Sequence, residues 1–163
     1  MTDILVNFFQ GLPPEWIVVI ISAMPVSELR GAIPLGVMMH LNVFKVFFLA
    51  IAGNMIPVLP LLYLLDPVSK KLRRSKPWEK FFDWLFARTR KKSELVEKYE
   101  FWGLLFLVAI PLPMTGAWTG SIAASLFGLN KKLSFIAVTA GVVAAAVIVT
   151  ILTLGTKGLF AHV

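Results

Sequence analysis

The chain has 163 residues, of which 58% are hydrophobic and only 15% are charged, and its mean hydropathy is +0.80. A soluble domain spreads more charge over its surface than this, so the composition predicts a membrane protein. The absence of cysteine excludes disulfides and thiolate chemistry, and the net charge of +7 comes without any nucleic-acid-binding motif.

The first apolar run, residues 16–24, is too short to cross a bilayer and stops at a proline. No Lys or Arg precedes Arg30, so the run lacks the basic start of a secretory signal and is expected to stay in the mature protein. Residues 26–36 are then small, polar or helix-breaking, and broken backbone survives at membrane depth only against protein or water. We therefore predict a re-entrant hairpin whose backbone is set by Pro25, Gly31, Pro34 and Gly36.

Glu28 and Arg30 are the ionisable residues of this hairpin. A charge at that depth costs at least ~2.5 kcal/mol unless it is paired or hydrated. The two side chains would diverge on a helix but could approach each other in a broken segment. Glu28 is therefore a candidate proton or cation carrier with Arg30 as its partner, and the alternative is a structural pair that pins the hairpin.

Residues 43–65 form the first segment long enough to cross the membrane. Asn54, followed by Pro57 and Pro60, predicts a polar kink near its middle. Such a kink suits a substrate path, although an Asn can also serve only to hydrogen-bond a neighbouring helix.

A basic segment, residues 67–100, follows with 11 basic and 5 acidic residues. Trp78, Phe81, Phe82 and Leu85 share one face of a helix, which predicts an amphipathic helix lying on anionic lipid. Positive charge of this kind is typical of cytoplasmic segments, so we place residues 67–100 in the cytoplasm. A regulatory or partner-binding role for the segment is the alternative.

The second half repeats the order of the first. An apolar run, residues 101–110, ends before Pro111 and Pro113, a small and polar stretch follows over residues 114–125, and residues 133–154 form a second spanning segment. This predicts a second re-entrant hairpin, with Gly116 and Gly120 allowing close approach. Hydroxyls that could line a site come from Thr115, Thr119 and Ser121.

A shift of 88 positions aligns the halves: Pro25 falls on Pro113, and Leu41 and Asn42 fall on Leu129 and Asn130. A hairpin plus one span crosses the membrane an odd number of times, so the second half must be inverted relative to the first. With the basic segment inside, both termini lie outside. Four ordinary spans would instead place both termini inside, and a chance resemblance between two apolar stretches is the alternative to a repeat.

These features together predict an all-α, single-domain integral protein of the cytoplasmic membrane. Two inverted-topology repeats, residues 1–66 and 101–163, each a re-entrant helical hairpin plus one transmembrane helix, flank the cytoplasmic segment 67–100. No catalytic pair, phosphate loop or metal-ligand cluster occurs in the sequence, so we expect neither an enzyme nor a cofactor nor a metal. Two spanning helices are too few to enclose a transport path, so we expect a homodimer. Its interface would be the small-residue faces, Ala32 and Gly36 in the first half and Gly116, Gly120, Ala124 and Gly128 in the second.

Residues 27–36, Ser-Glu-Leu-Arg-Gly-Ala-Ile-Pro-Leu-Gly, and residues 111–125 resemble the two signature stretches of the bacterial and archaeal family named putative small multidrug export proteins. The resemblance covers nearly the whole chain and implies export of small compounds. A more distant architectural similarity to the DedA and VTT membrane proteins implies movement of lipids or lipid carriers. No basic residue lies between Pro111 and Asn130, so a phosphate-binding role taken from those proteins would fall on Arg30.

We therefore expect a transporter of small molecules or amphiphiles, coupled to protons or cations through Glu28, with its site between the hairpins. A lipid or polyprenyl phosphate translocase is the first alternative, and a structural or assembly factor is the second. The expected partners are the lipid bilayer, the substrate and a second copy of the chain, with no nucleic acid.

Overall fold

The computed structural model describes residues 11–72, 76–92, 94–110 and 115–160, and these ranges are helical with short connections. This agrees with the predicted all-α class. In chain order the helices are α1 Pro14–Ala23, α2 Glu28–Met38, α3 Val43–Met55, α4 Val58–Leu72, α5 Lys76–Lys92, α6 Glu94–Ala109, α7 Ala117–Leu126 and α8 Lys131–Phe160.

Two helical segments, Val43–Leu65 and Lys131–Thr156, are long and apolar enough to cross a bilayer. Only 28% and 39% of their most apolar windows are buried inside the protein, whereas the core helix of a soluble protein would be mostly covered. Large side chains such as Phe44 and Ile151 are 77% and 64% exposed. These apolar surfaces need lipid around them, and the two predicted spans are confirmed by length and composition.

The first compact unit comprises residues 1–54 and 146–163. Within it α1 and α2 pack together, and glycines bring both of them close to α3. A Cβ on Gly36 would lie 2.8 Å from Val46 and 2.9 Å from Val18, and one on Gly53 would lie 2.4 Å from the carbonyl oxygen of Val19. The small residues therefore serve helix packing inside this unit.

The second compact unit, Met55–Ala145, is built in the same way around α7, which packs against α4, α5 and α6. A Cβ on Gly120 would lie 2.5 Å from Val108, and one on Gly141 would lie 2.7 Å from the same residue. Because Gly36 and Gly120 are already used within their units, the predicted small-residue faces are not free to form a dimer interface. The homodimer stays a prediction, and it would use another surface.

The turns that follow α2 and α7 have the same backbone. His40 and Gly128, 88 positions apart, adopt φ values of 60° and 64°. In each turn the next residue, Leu41 or Leu129, donates its N–H to the carbonyl five residues back, at 3.2 and 3.0 Å. This left-handed residue with its long-range hydrogen bond ends both helices in the same way.

The helices after these turns are capped alike. The side-chain oxygen of Asn42 accepts from the backbone N–H groups two and three residues on, at 2.9 and 3.3 Å, and that of Asn130 does the same at 3.0 and 3.3 Å. Both asparagines act as N-caps of apolar helices. The 88-residue shift read from the sequence thus corresponds to a repeated local structure.

The backbone break of the first predicted hairpin is shorter than the sequence suggested. We expected broken backbone through residue 36, but Met24 is extended, residues 25–27 form turns, and α2 begins at Glu28. Gly31, Pro34 and Gly36 all lie inside α2. Pro34 removes one backbone hydrogen bond of α2, but the helix continues past it to Met38.

The amphipathic helix of the basic segment is present as α5. Its predicted apolar face is divided: Phe82 is 4% exposed, whereas Trp78 and Phe81 are each 47% exposed. Part of the face therefore packs on protein, so the expectation that Trp78, Phe81, Phe82 and Leu85 all lie on lipid was wrong for Phe82. Arg88 lies over the ring of Trp84, 5.1 Å from its centroid.

Candidate functional site

Glu28 is the first residue of α2 and is only 5% exposed. Its φ of 48° is a left-handed conformation that costs a residue with a side chain ~1–3 kcal/mol, and strain of this kind is kept where the surroundings hold the residue in place. Its backbone N–H donates to the carbonyl of Met24 at 3.1 Å, which closes the turn. The carboxyl group therefore lies at the positive end of a helix dipole, where a negative charge is stabilised.

Arg30 lies two residues later on the same helix and is half-buried. The negative charge of Glu28 acts electrostatically on Arg30. Both residues lie on the helical backbone of α2 and not in the broken segment that was expected to let them approach each other. The turn before them is fixed by Ser27, whose hydroxyl donates to the carbonyl of Ile21 at 2.8 Å. Pro25 lies in this turn, as predicted.

Asn54 is the second polar group buried in the first unit. It is 1% exposed, and neither polar atom of its amide has a hydrogen-bond partner in the described structure. A buried donor or acceptor that makes no hydrogen bond costs about 1–3 kcal/mol of stability. An amide in this state near the middle of an apolar spanning segment is placed to bind water, an ion or a polar group of a substrate.

Ser22, which the sequence analysis did not select, is also buried in the first unit. Its hydroxyl donates to the backbone carbonyl of Ala50 and so ties α1 to α3 one turn before Asn54. At the start of α1, the ammonium of Lys45 donates to Glu15 at 2.6 Å. This hydrogen bond holds the pKa of the Glu15 carboxyl below its usual range.

The second unit holds the other predicted residues. Thr115 falls 88 positions after Ser27, and its hydroxyl likewise donates to a backbone carbonyl of the preceding segment, that of Ile110, at 3.2 Å. Gly116, with φ 137°, corresponds to Glu28. Thr119 is half-buried on α7. Pro111 and Pro113 lie outside the described residues.

Ser121 is fully buried on α7, and its hydroxyl has no partner in the described structure. A further serine, Ser134 on α8, is 3% exposed with a hydroxyl in the same state, and sequence reasoning missed it. The signal was available in the repeat, because Ser134 falls 88 positions after Val46. A polar residue that replaces an aliphatic one at an equivalent buried position is a candidate for function.

The folded chain thus has the features of a helical membrane protein: apolar helices long enough to span, exposed apolar side chains along them, and buried polar groups between helices. The family described as "Putative small multi-drug export protein" matches residues 28–148, which is more than half of the chain. The chain belongs to this family. Neither a curated protein nor a solved structure matches it, and the similarity to the DedA and VTT proteins is not shown.

Proposed function

We propose that this protein exports small compounds across the cytoplasmic membrane and that Glu28 exchanges a proton or cation during transport. The observation that carries the proposal is the burial of the Glu28 carboxyl group at the start of α2. A carboxyl group is rarely buried in a membrane protein unless it works there or is paired. The family description, which names export, supports the same function.

Three residues of the first unit would form the working site. Glu28 carries the exchangeable charge, Arg30 balances it or meets an anionic group of the substrate, and Asn54 supplies a donor and an acceptor that the described structure leaves unused. Thr119 and Ser121 belong to the second unit and stay candidate binding residues from the sequence. Thr115 would then be a positioning residue, because its hydroxyl already donates to the carbonyl of Ile110.

An inverted repeat would supply alternating access to such a site. The proposal is supported by the matching turns and asparagine caps of the two halves, and by two short apolar helices, Pro14–Ala23 and Tyr99–Ala109, that cannot span alone. Each would form the first half of a re-entrant hairpin. In this arrangement residues 67–100 lie in the cytoplasm and both termini lie outside.

The test is transport by purified protein in vesicles that contain a pH-sensitive dye, with cationic amphiphiles as substrates. We expect Glu28→Gln to abolish proton-linked transport at normal protein abundance, since glutamine keeps the shape of the side chain but cannot release a proton. Glu15→Gln is the matched control. It removes an exposed acid from the same unit, where an ion pair contributes little, and should keep transport.

The same experiment separates transport from a purely structural role. If Glu28 only pins the hairpin, Glu28→Gln should lower abundance and transport together, as an assembly factor would also show. Undiminished transport by Glu28→Gln would remove the carrier role.

A further inference from the structure

A small cavity of about 30 Å³ lies in the second unit beside the first turn of α8. A volume of this size accommodates one water molecule or one ion but no organic substrate. Three of its lining residues are polar, Glu100, Asn130 and Ser134, and the other four are apolar. The lining residues are Glu100, Phe101, Leu104, Leu129, Asn130, Leu133 and Ser134.

Ser134 is the residue that distinguishes this place from its counterpart in the first unit. Its N–H donates to the carbonyl of Asn130 at 2.8 Å, and the N–H of Val46 donates to that of Asn42 at 2.9 Å, so the two positions are structurally equivalent. Val46 is fully buried and packs where Gly36 leaves room. The second unit instead has a hydroxyl at this position, 3% exposed and with no partner in the described structure.

The charges around the cavity favour a cation. Glu100 is one of its lining residues and brings an exposed acidic side chain to the edge of the cavity. The N–H groups of Lys132 and Leu133, which could otherwise attract an anion to the helix start, already donate to the side-chain oxygen of Asn130. The ammonium of Lys131 lies over the ring of Tyr63, 5.1 Å from its centroid, and Lys131 is not part of the lining.

The backbone at Glu100 also departs from ordinary geometry. Its φ of 40° and ψ of −99° interrupt α6 between the basic segment and the second apolar helix. A non-glycine residue in this region is strained by ~1–3 kcal/mol, and such strain is common at binding sites. The kink brings Glu100 to the same cavity as Ser134.

We propose that this cavity binds a single monovalent cation of about the size of sodium, held by the carboxylate of Glu100 and the hydroxyl of Ser134. Oxygen ligands of these types suit hard cations, and the negative charge of Glu100 offsets the unfavourable dipole at the start of α8. The hydroxyl of Ser134 gains the cation as a partner, which removes the cost of burying it without a hydrogen bond. The site is independent of the export function and can be tested by binding alone.

The test uses the full-length protein in detergent, with sodium chloride exchanged for choline chloride at constant ionic strength. We expect sodium to raise the thermal unfolding midpoint and to broaden the ²³Na resonance, because it binds the folded state. Ser134→Val, which installs the residue of the first unit, and Glu100→Gln should each weaken the apparent affinity for sodium about tenfold or more.

Two variants serve as matched controls. Ser121→Ala removes another buried, unpartnered serine hydroxyl of the same unit that does not line the cavity, and Glu79→Gln removes an exposed acid of α5. Both should keep the sodium response. Equal midpoints in sodium and choline would show that the cavity takes water only and would overturn the proposal, as would a full sodium response in both Ser134→Val and Glu100→Gln.

Discussion

At the scale of single residues, the buried side chains of Asn54 and Ser22 differ in what they contribute to stability. Ser22 makes a hydrogen bond across two helices, so its burial is compensated. Asn54 has two polar atoms that the described structure leaves unsatisfied, so its burial is a cost. A residue that costs stability and remains in an apolar helix is expected to serve function.

We therefore predict that Asn54→Leu makes the protein more stable and inactive. Removing the unsatisfied amide should raise the free energy of unfolding by about 1–2 kcal/mol, measured by thermal unfolding in detergent. Transport by the same variant should be lost. Ser22→Ala should lower stability instead, and a destabilised Asn54→Leu would mean that the amide has a structural partner.

At the scale of helices, glycine positions decide how closely the elements of each unit approach. Gly53 and Gly141 are 88 positions apart, and each is covered by the short apolar helix of its own unit, α1 or the second part of α6. A Cβ on Gly53 would meet the backbone oxygen of Val19 at 2.4 Å, and backbone cannot move aside as a flexible side chain can. The two contacts show the same packing solution used twice.

Gly53→Ala should accordingly destabilise the protein by about 1–3 kcal/mol through overpacking between α1 and α3. Gly155→Ala is the control, because a Cβ there meets nothing within 4 Å and alanine is the better helix former. It should leave stability unchanged or raise it by up to ~1 kcal/mol. Thermal unfolding of the two variants measures the difference, and equal effects would contradict the close approach.

At the scale of the whole molecule, the absence of cysteine makes the orientation in the membrane directly measurable. Lys80 on the basic segment and Gly11 near the N-terminus are both exposed, so a cysteine at either position should react. We predict that Lys80→Cys is labelled by an impermeant maleimide only from the cytoplasmic side and Gly11→Cys only from the outside. Labelling of both from one side would contradict the proposed odd number of crossings in the first half.

Much of this protein is determined by its sequence. Low charge and two apolar segments of sufficient length indicate helices that can cross a membrane, because the bilayer fixes the length and polarity of a spanning helix. The register of the repeat could also be read directly, since Asn42 and Asn130 cap their helices through local contacts. Glu28 could be selected because a carboxyl in an apolar segment is rare whatever surrounds it.

Tertiary structure decided the rest, because burial and hydrogen-bond partners depend on residues distant in sequence. Only packing shows that Gly36 and Gly120 serve contacts within their units, that Phe82 faces protein, and that Thr115 donates to the carbonyl of Ile110. The cavity beside Ser134 needs a kinked Glu100, and no local pattern predicts that kink. Sequence periodicity specifies which residues are apolar, whereas three-dimensional packing decides which polar groups lack a partner.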